Sequence, residues 1–189
     1  MNRASSGGIP KSKLTLAIVD RDHTLGPPDA PIALLEYGDY ECPYCGRAHL
    51  IIKAIQKRLG DRLCFAFRNF PLTNMHPNAA HAAEAAEAAG AQGRFWEMHD
   101  VLYENQDALA DENLAQYAQA LGLDPQRLLS EIQAGAYAER VKEDFRSGAR
   151  GGVNGTPTFF INGVRYEGAL EAGDLLTALL EVAEMRGRD

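Results

Sequence analysis

Cys42-Pro43-Tyr44-Cys45 stands directly after the apolar run Pro31-Ile32-Ala33-Leu34-Leu35-Glu36-Tyr37 and directly before a segment of helical period. That placement constrains the chain more than any other feature. Thiols three positions apart fall on one face of a helix's first turn, near enough to close into a disulfide and open again. The first of them sits where free backbone N–H groups and the positive end of the helix dipole favour a thiolate, the nucleophile of disulfide exchange. After Cys45, Ala48, Ile52, Ile55 and Leu59 recur at helical spacing; Arg47, Lys53, Gln56, Lys57 and Arg58 fall mostly elsewhere, and Gly60 supplies a stop. The run before the motif is nearly all apolar, as a strand buried on both faces should be. Strand, tight turn with CxxC, and helix form the context in which this motif carries redox chemistry.

Two blander readings compete. A CxxC can be half of a zinc site, and His49 follows Cys45 at helical spacing, so a Cys42, Cys45, His49 cluster is conceivable. Structural zinc wants four ligands, however, and the sequence has neither a second CxxC nor paired histidines; no metal is expected. A purely structural disulfide is disfavoured because so short a loop constrains the unfolded chain little and strains readily.

Composition narrows the partners. With 189 residues and 46% hydrophobic content the chain can bury a full core as one elaborated unit, and no apolar stretch is long enough to cross a bilayer. A net charge of −7 without a basic stripe argues against nucleic acid or an anionic membrane surface. Residues 1–13 are polar and Gly/Ser-rich, read as a flexible tail with no apolar signal core. Taken at face value this places the protein in the cytoplasm, or beyond it had a leader been removed.

Along the chain, Leu14–Val19 alternates enough for an edge strand, Gly26–Pro31 is a turn-rich connector, and Ile32–Tyr37 is the next strand. A helix at Cys42–Leu59 and a strand at Leu63–Phe67 complete β-α-β. Strand signals then vanish until Gly151. Helices are expected at Asn78–Ala89 with Asn78 as N-cap, at Phe95–Asn105, from Asp111 as cap with Leu114, Ala118 and Leu121 inward, from Asp124-Pro125, and at Tyr137–Ala149 with Val141 and Phe145 inward. Asn162-Gly163 between Thr158–Ile161 and Val164–Tyr166 marks a hairpin, and Glu171–Met185 a terminal helix. The expected organisation is an α/β domain at 14–72 and 151–189, split by an all-helical insert at 73–150.

That order is the thioredoxin fold interrupted by a helical domain, and four segments match in residue detail. Leu35-Glu36-Tyr37-Gly38-Asp39-Tyr40-Glu41-Cys42-Pro43-Tyr44-Cys45, Arg68-Asn69-Phe70-Pro71-Leu72, Gly93-Arg94-Phe95-Trp96-Glu97-Met98-His99 and Gly155-Thr156-Pro157-Thr158-Phe159-Phe160-Ile161-Asn162-Gly163 resemble the DsbA-like thioredoxin family, from about Asp22 to the C-terminus. The resemblance implies a protein disulfide oxidoreductase whose dithiol needs no cofactor. It implies Cys42 as the exposed attacking thiol, Cys45 as the buried resolving one, and Pro157 as a cis-proline facing the disulfide. With Thr156, Pro157 would hold extended substrate chain. Glu36 would be a buried acid moving protons for the resolving thiol.

The family's best-known oxidase carries Pro-His between its cysteines; Pro43-Tyr44 stands here, so the intervening pair tunes the site without an imidazolium. With Asp39 and Glu41 adjacent, the helix N-terminus is expected to supply most of the thiolate stabilisation, and the redox poise to be intermediate. Cys64 is expected to be an inert buried hydrophobe, His76, His81 and His99 surface or core-edge residues, and Trp96 core of the insert. Expected partners are protein or peptide thiols and disulfides and a separate recycling protein, the chain itself acting as a monomer. Glutathione-linked reduction, which Cys-Pro-Tyr-Cys favours and the large insert disfavours, metal or cluster binding, and peptide binding with incidental cysteines are the rival readings.

Overall fold

The computed structural model describes residues 16–186. The expected tail at 1–13, and Leu14 and Thr15 of the expected first strand, lie outside the described residues. Five strands, β1 (His23–Leu25), β2 (Ile32–Gly38), β3 (Leu63–Asn69), β4 (Thr158–Ile161) and β5 (Val164–Arg165), form one sheet in the order β1-β3-β2-β4-β5. β2 and β3 run parallel and every other pairing is antiparallel. A parallel pair needs a crossover, and helix α1 (Pro43–Leu59) supplies it.

Because β2 is buried on both faces, alternation sorts its side chains into two layers. Ile32 and Leu34 join Cys45, Ala48, Ile52 and Ile55 of α1; Leu35 and Tyr37 join Ala66, Phe70, Val153 and Phe160 on the other face. Glu36 and Gly38 share the parity of Leu34, and so point toward α1. Five helices follow β3: α2 (Ala79–Ala91), α3 (Phe95–Glu104), α4 (Asp111–Ala120), α5 (Pro125–Gln133) and α6 (Ala138–Arg150). α7 (Ala172–Arg186) closes the chain against α1 and β2. Asn162 and Gly163 both take positive φ, 46° and 81°, as a type I′ hairpin turn requires. Asn162 also accepts the Ala33 N–H at 2.7 Å through its side chain, pinning the turn to β2.

Several expectations need correction. Within the described part of Leu14–Val19 there is no strand; Leu16 and Ile18 pack on the sheet's second face, and one backbone bond, Leu16 N–H to Gly163 C=O, replaces a ladder. The edge strand is β1, held beside β3 by the buried Arg68, whose guanidinium donates to Asp22, Tyr37 Oη and the Ala17 carbonyl. Asn78 does not cap α2 with its side chain but gives it, with its backbone N–H, to Glu41. Asp111 is the first residue inside α4, paired with His81, whereas Asp124 caps α5 as expected by accepting the N–H groups of Gln126 and Arg127. Phe145 of α6 lies outward, stacked on Phe70, because the inward stripe of α6 is mostly polar: Asp144 accepts the Asn69 N–H and Ser147 bonds Tyr37 Oη.

Candidate active site

β2 delivers the chain at Gly38 into the turn Asp39-Tyr40-Glu41, and Cys42 becomes the N-cap of α1 with extended backbone (φ −78°, ψ 121°). Pro43 suits the first helical position, since it has no N–H to leave unpaired. The Cys42 carbonyl accepts the N–H groups of Cys45 and Gly46 at 3.0 and 3.1 Å. Gln106, just beyond α3, clamps the same turn: its amide donates to the carbonyls of Tyr40 and Cys42, both at 2.8 Å. No disulfide joins the two sulfurs in this structure. Cys45 is fully buried, and Cys42, expected to be exposed, retains only 4% of its surface because the Thr156 loop covers it.

The two sulfurs therefore differ in electrostatics more than in exposure. A hydrogen bond from the Cys45 thiol is the chief cause that draws Cys42 down to about 5, against the opposing effect of burial; Thr156 and the N–H groups of Cys45 and Tyr44 add to it. As a thiol, Cys42 donates to the Thr156 carbonyl at 3.5 Å. A carbonyl cannot stabilise the anion; the Thr156 hydroxyl, which is buried, has no hydrogen-bond partner and acts to lower Cys42, is free to donate to it. Burial drives Cys45 the opposite way, well above the ordinary thiol, reinforced by its bond to Cys42 and by the charge of Glu36. The N–H of Asp39, at 3.5 Å from the Cys45 sulfur, offsets part of this. Thiolate stabilisation thus comes first from the partner thiol rather than, as expected, mainly from the helix N-terminus.

Glu36 lies in an apolar row, with Phe159 and Phe67 opposite it on the neighbouring strands. It is 2% exposed, and its Oε1 has no hydrogen-bond partner. Burial, and secondarily the Cys42 charge, raise this carboxyl to about 8.

Asp39 and Glu41, expected to press negative charge on Cys42, are turned to other work. Asp39 is fully buried and accepts the N–H groups of Glu41 and Leu72 and a hydrogen bond from His76. Glu41 takes both donors of Asn78. Neither is among the largest causes acting on Cys42. Together they tie the loop after β3 and the start of α2 to the cysteine turn.

Opposite Cys42, the Thr156–Pro157 peptide bond is cis. Tyr44 is 58% exposed, with the Arg47 guanidinium 4.7 Å over its ring. Tyr44, Thr156, Pro157, Arg165, Tyr166 and Leu170 line a surface cavity of about 260 Å³. Cys42, Cys45, Glu36, Thr156, Pro157 and Tyr44 are thereby gathered at one end of the sheet.

Sequence reasoning missed Gln106, His76 as the partner of Asp39, and Tyr103, whose buried hydroxyl lies against Gly38. His99 is also not at the surface: it is buried among Tyr40, Phe67, Trp96 and Tyr103, with Nδ1 on Tyr40 Oη at 3.0 Å. Trp96 bridges to the sheet, its indole N–H on the Thr24 carbonyl and its ring on Phe65. His49 groups with His99 and Asp100, not with the cysteines, and Asp100 is engaged by the Lys53 ammonium at 2.6 Å. Cys64 is buried on β3, where burial raises its thiol.

A thioredoxin family model matches residues 19–181. Over 162 residues the chain is 43% identical to a protein named Na(+)/H(+) antiporter NhaA 1 from Mycobacterium sp. (strain KMS), a match covering 85% of this chain and 26% of that one. The chain thus spans about a quarter of the length of the curated relatives it matches. Among the described residues no helix is long and apolar enough to cross a membrane. In three dimensions it is similar to oxidised BdbD from Bacillus subtilis, with TM-score 0.77 and 25% identity over 85% of this chain and 92% of that one. It also superposes on alpha-DsbA1 from Wolbachia pipientis, with TM-score 0.75 and 21% identity over 90% and 96%. The matched fold and the CxxC pair at its helix N-terminus agree: the chain belongs to the thioredoxin family, with a fold similar to that of alpha-DsbA1.

Proposed function

We propose that this chain is a protein thiol–disulfide oxidoreductase working through Cys42 and Cys45. One observation carries the reading: two thiols three residues apart are driven in opposite directions, Cys42 toward the thiolate at neutral pH and Cys45 toward the protonated thiol. Only such a pair has a ready nucleophile and a held-back resolving group.

In the reducing direction the Cys42 thiolate attacks a substrate disulfide. One substrate sulfur leaves as a thiolate with the bonding pair, and the other stays bonded to Cys42. Cys45 then loses its proton to the Glu36 carboxylate and attacks Cys42. A Cys42–Cys45 bond forms, the bond from Cys42 to substrate breaks, and the second substrate sulfur departs as a thiolate that takes a proton from water. Oxidation of substrate dithiols is the same sequence reversed. Part of the elevation of Glu36 comes from the Cys42 charge, which vanishes in the mixed disulfide. Glu36 therefore ionises more readily at the stage that needs a base. Thr156 and Pro157 would hold an extended stretch of substrate beside Cys42, and Pro43 and Tyr44 would tune the thiolate.

The direction of flow is set by a recycling protein and by the redox poise of the compartment, cytoplasmic or exported, in which the chain works as a monomer. Ion antiport, in the name of the longer relatives, is not proposed for this chain. Trapping tests the reading. A Cys45→Ser variant mixed with an oxidised protein substrate should accumulate a disulfide-linked adduct through Cys42 that dithiothreitol releases, and Cys42→Ser should form none. Equal adducts from both variants, or adducts through Cys64, would overturn it.

A further inference from the structure

Besides the Thr156 hydroxyl at Cys42, two buried oxygens near the dithiol have no hydrogen-bond partner: Oε1 of Glu36 and the hydroxyl of Tyr103. An orphaned buried polar group costs free energy, and two of them near a site of proton transfer call for an explanation. Their placement supplies one. Glu36 and Gly38 are two apart on β2, so their side-chain positions share the face beneath α1. Gly38 leaves its position empty, and the Phe67 ring and the Tyr103 hydroxyl, brought by α3, share it: a Cβ there would clash with Phe67 Cε2 and stand 2.7 Å from that oxygen. Side-chain positions two apart on a strand are about 6.5 Å from each other. One water with two hydrogen bonds of about 2.8 Å spans roughly 5.5 Å, a length comparable with that spacing. A buried water needs two to four polar partners, and Glu36, Tyr103 and the Cys45 thiol provide three.

We infer that Tyr103 donates a hydrogen bond through one water to the Glu36 carboxylate, and so sets the pH at which Glu36 can accept the proton of Cys45. The inference rests on the role given to Glu36 above and adds a positioning residue to it. Burial, then the charges of Cys45 and Glu36, hold the Tyr103 phenol well above its ordinary range, so it stays a donor throughout the working pH. The groups facing it are Cys45 and His49 of α1, Glu36 of β2, Asp39 and Tyr40 of the turn, and His99 of α3. Burial holds both histidines below the ordinary imidazole range, so neither brings a competing positive charge near neutrality.

The test follows the resolving step, release of a cysteine peptide from its mixed disulfide with Cys42, by stopped flow between about pH 6 and 9 in the full-length protein. Tyr103→Phe keeps the ring and deletes the donor. The inflection belonging to Glu36 should move up by about one pH unit, slowing release at neutral pH roughly three- to tenfold, while the pH dependence of Cys42 alkylation stays put. An unmoved inflection in Tyr103→Phe, or an equal slowing at every pH with a lowered melting temperature, overturns the inference. Glu36→Gln runs alongside. If it abolishes the inflection while Tyr103→Phe changes nothing, Tyr103 alone is dismissed; if it keeps the parent profile, the role of Glu36 falls and this inference with it.

Discussion

At the scale of single residues, the proposed chemistry depends on three acids whose ordinary strengths have been rearranged. Cys42 is strengthened by donors, Cys45 weakened by burial, and Glu36 raised to about 8 in an apolar row. Glu36 carries a stability signature of its own. Its folded value lies above the unfolded one, so its contribution is fully present below about 4.5 and is lost as pH rises through about 8. Glu36→Gln should therefore melt at a higher temperature than the parent above pH 8, the gap shrinking toward pH 4.5, while the resolving step at neutral pH slows at least tenfold. Calorimetry at the two ends of that range, with single-turnover kinetics, reads both. Tyr44 contributes no cation, and the Cys42 value of about 5 falls between those of strongly oxidising and reducing dithiols. The reduction potential should accordingly lie between roughly −270 and −120 mV, and Tyr44→His should raise it and lower the Cys42 pKa together. Equilibration against glutathione buffers decides this: a potential outside the interval, or one unmoved by the substitution, contradicts it.

Among elements, the N-terminus of α1 is held by parts far away in the chain. Gln106 binds two carbonyls of the cysteine turn, and Asp39 gathers Glu41, Leu72 and His76. Gln106→Ala should cost about 1–2 kcal/mol in a urea melt and loosen the turn, seen as faster amide exchange at Cys45 and Gly46. His76 gives a pH-dependent counterpart. Burial pulls its imidazole down, but the hydrogen bond to Asp39 and the surrounding negative charges prevail and raise it. A raised histidine stabilises fully below its unfolded value near 6.5 and ceases to do so as pH climbs through the folded one. His76→Gln should thus destabilise more at pH 6 than at pH 8.5 in paired melts. At β1, Asp22→Ala would strand the buried Arg68 guanidinium and should cost about 3–5 kcal/mol.

At the scale of the whole molecule, the strand–CxxC–helix unit, the Asn162-Gly163 hairpin and the Asp124-Pro125 helix start were legible because each is written in a few adjacent residues with a local mechanism. Gln106, His76 and Tyr103 were not: each reaches the site from a loop or helix 37 to 66 residues away, and a lone polar side chain there has no periodic signature. The first strand was misplaced because Leu16 and Ile18 alternate for packing, whereas the three residues of β1 are too few to show a period. Phe145 was turned the wrong way because the apolar-inward rule fails where a helix meets the polar ends of strands. The exposure expected of Cys42 also failed, since a loop more than a hundred residues distant covers it. The central claim of the proposed function is that Cys42 is the nucleophile by electrostatics rather than by exposure. The most direct test is the pH dependence of iodoacetamide alkylation of the reduced protein, with the labelled cysteine mapped by mass spectrometry. The account predicts that Cys42 is modified first, with an inflection near 5. First modification at Cys45 or Cys64, or an inflection for Cys42 in the ordinary thiol range of about 8.5, would contradict it.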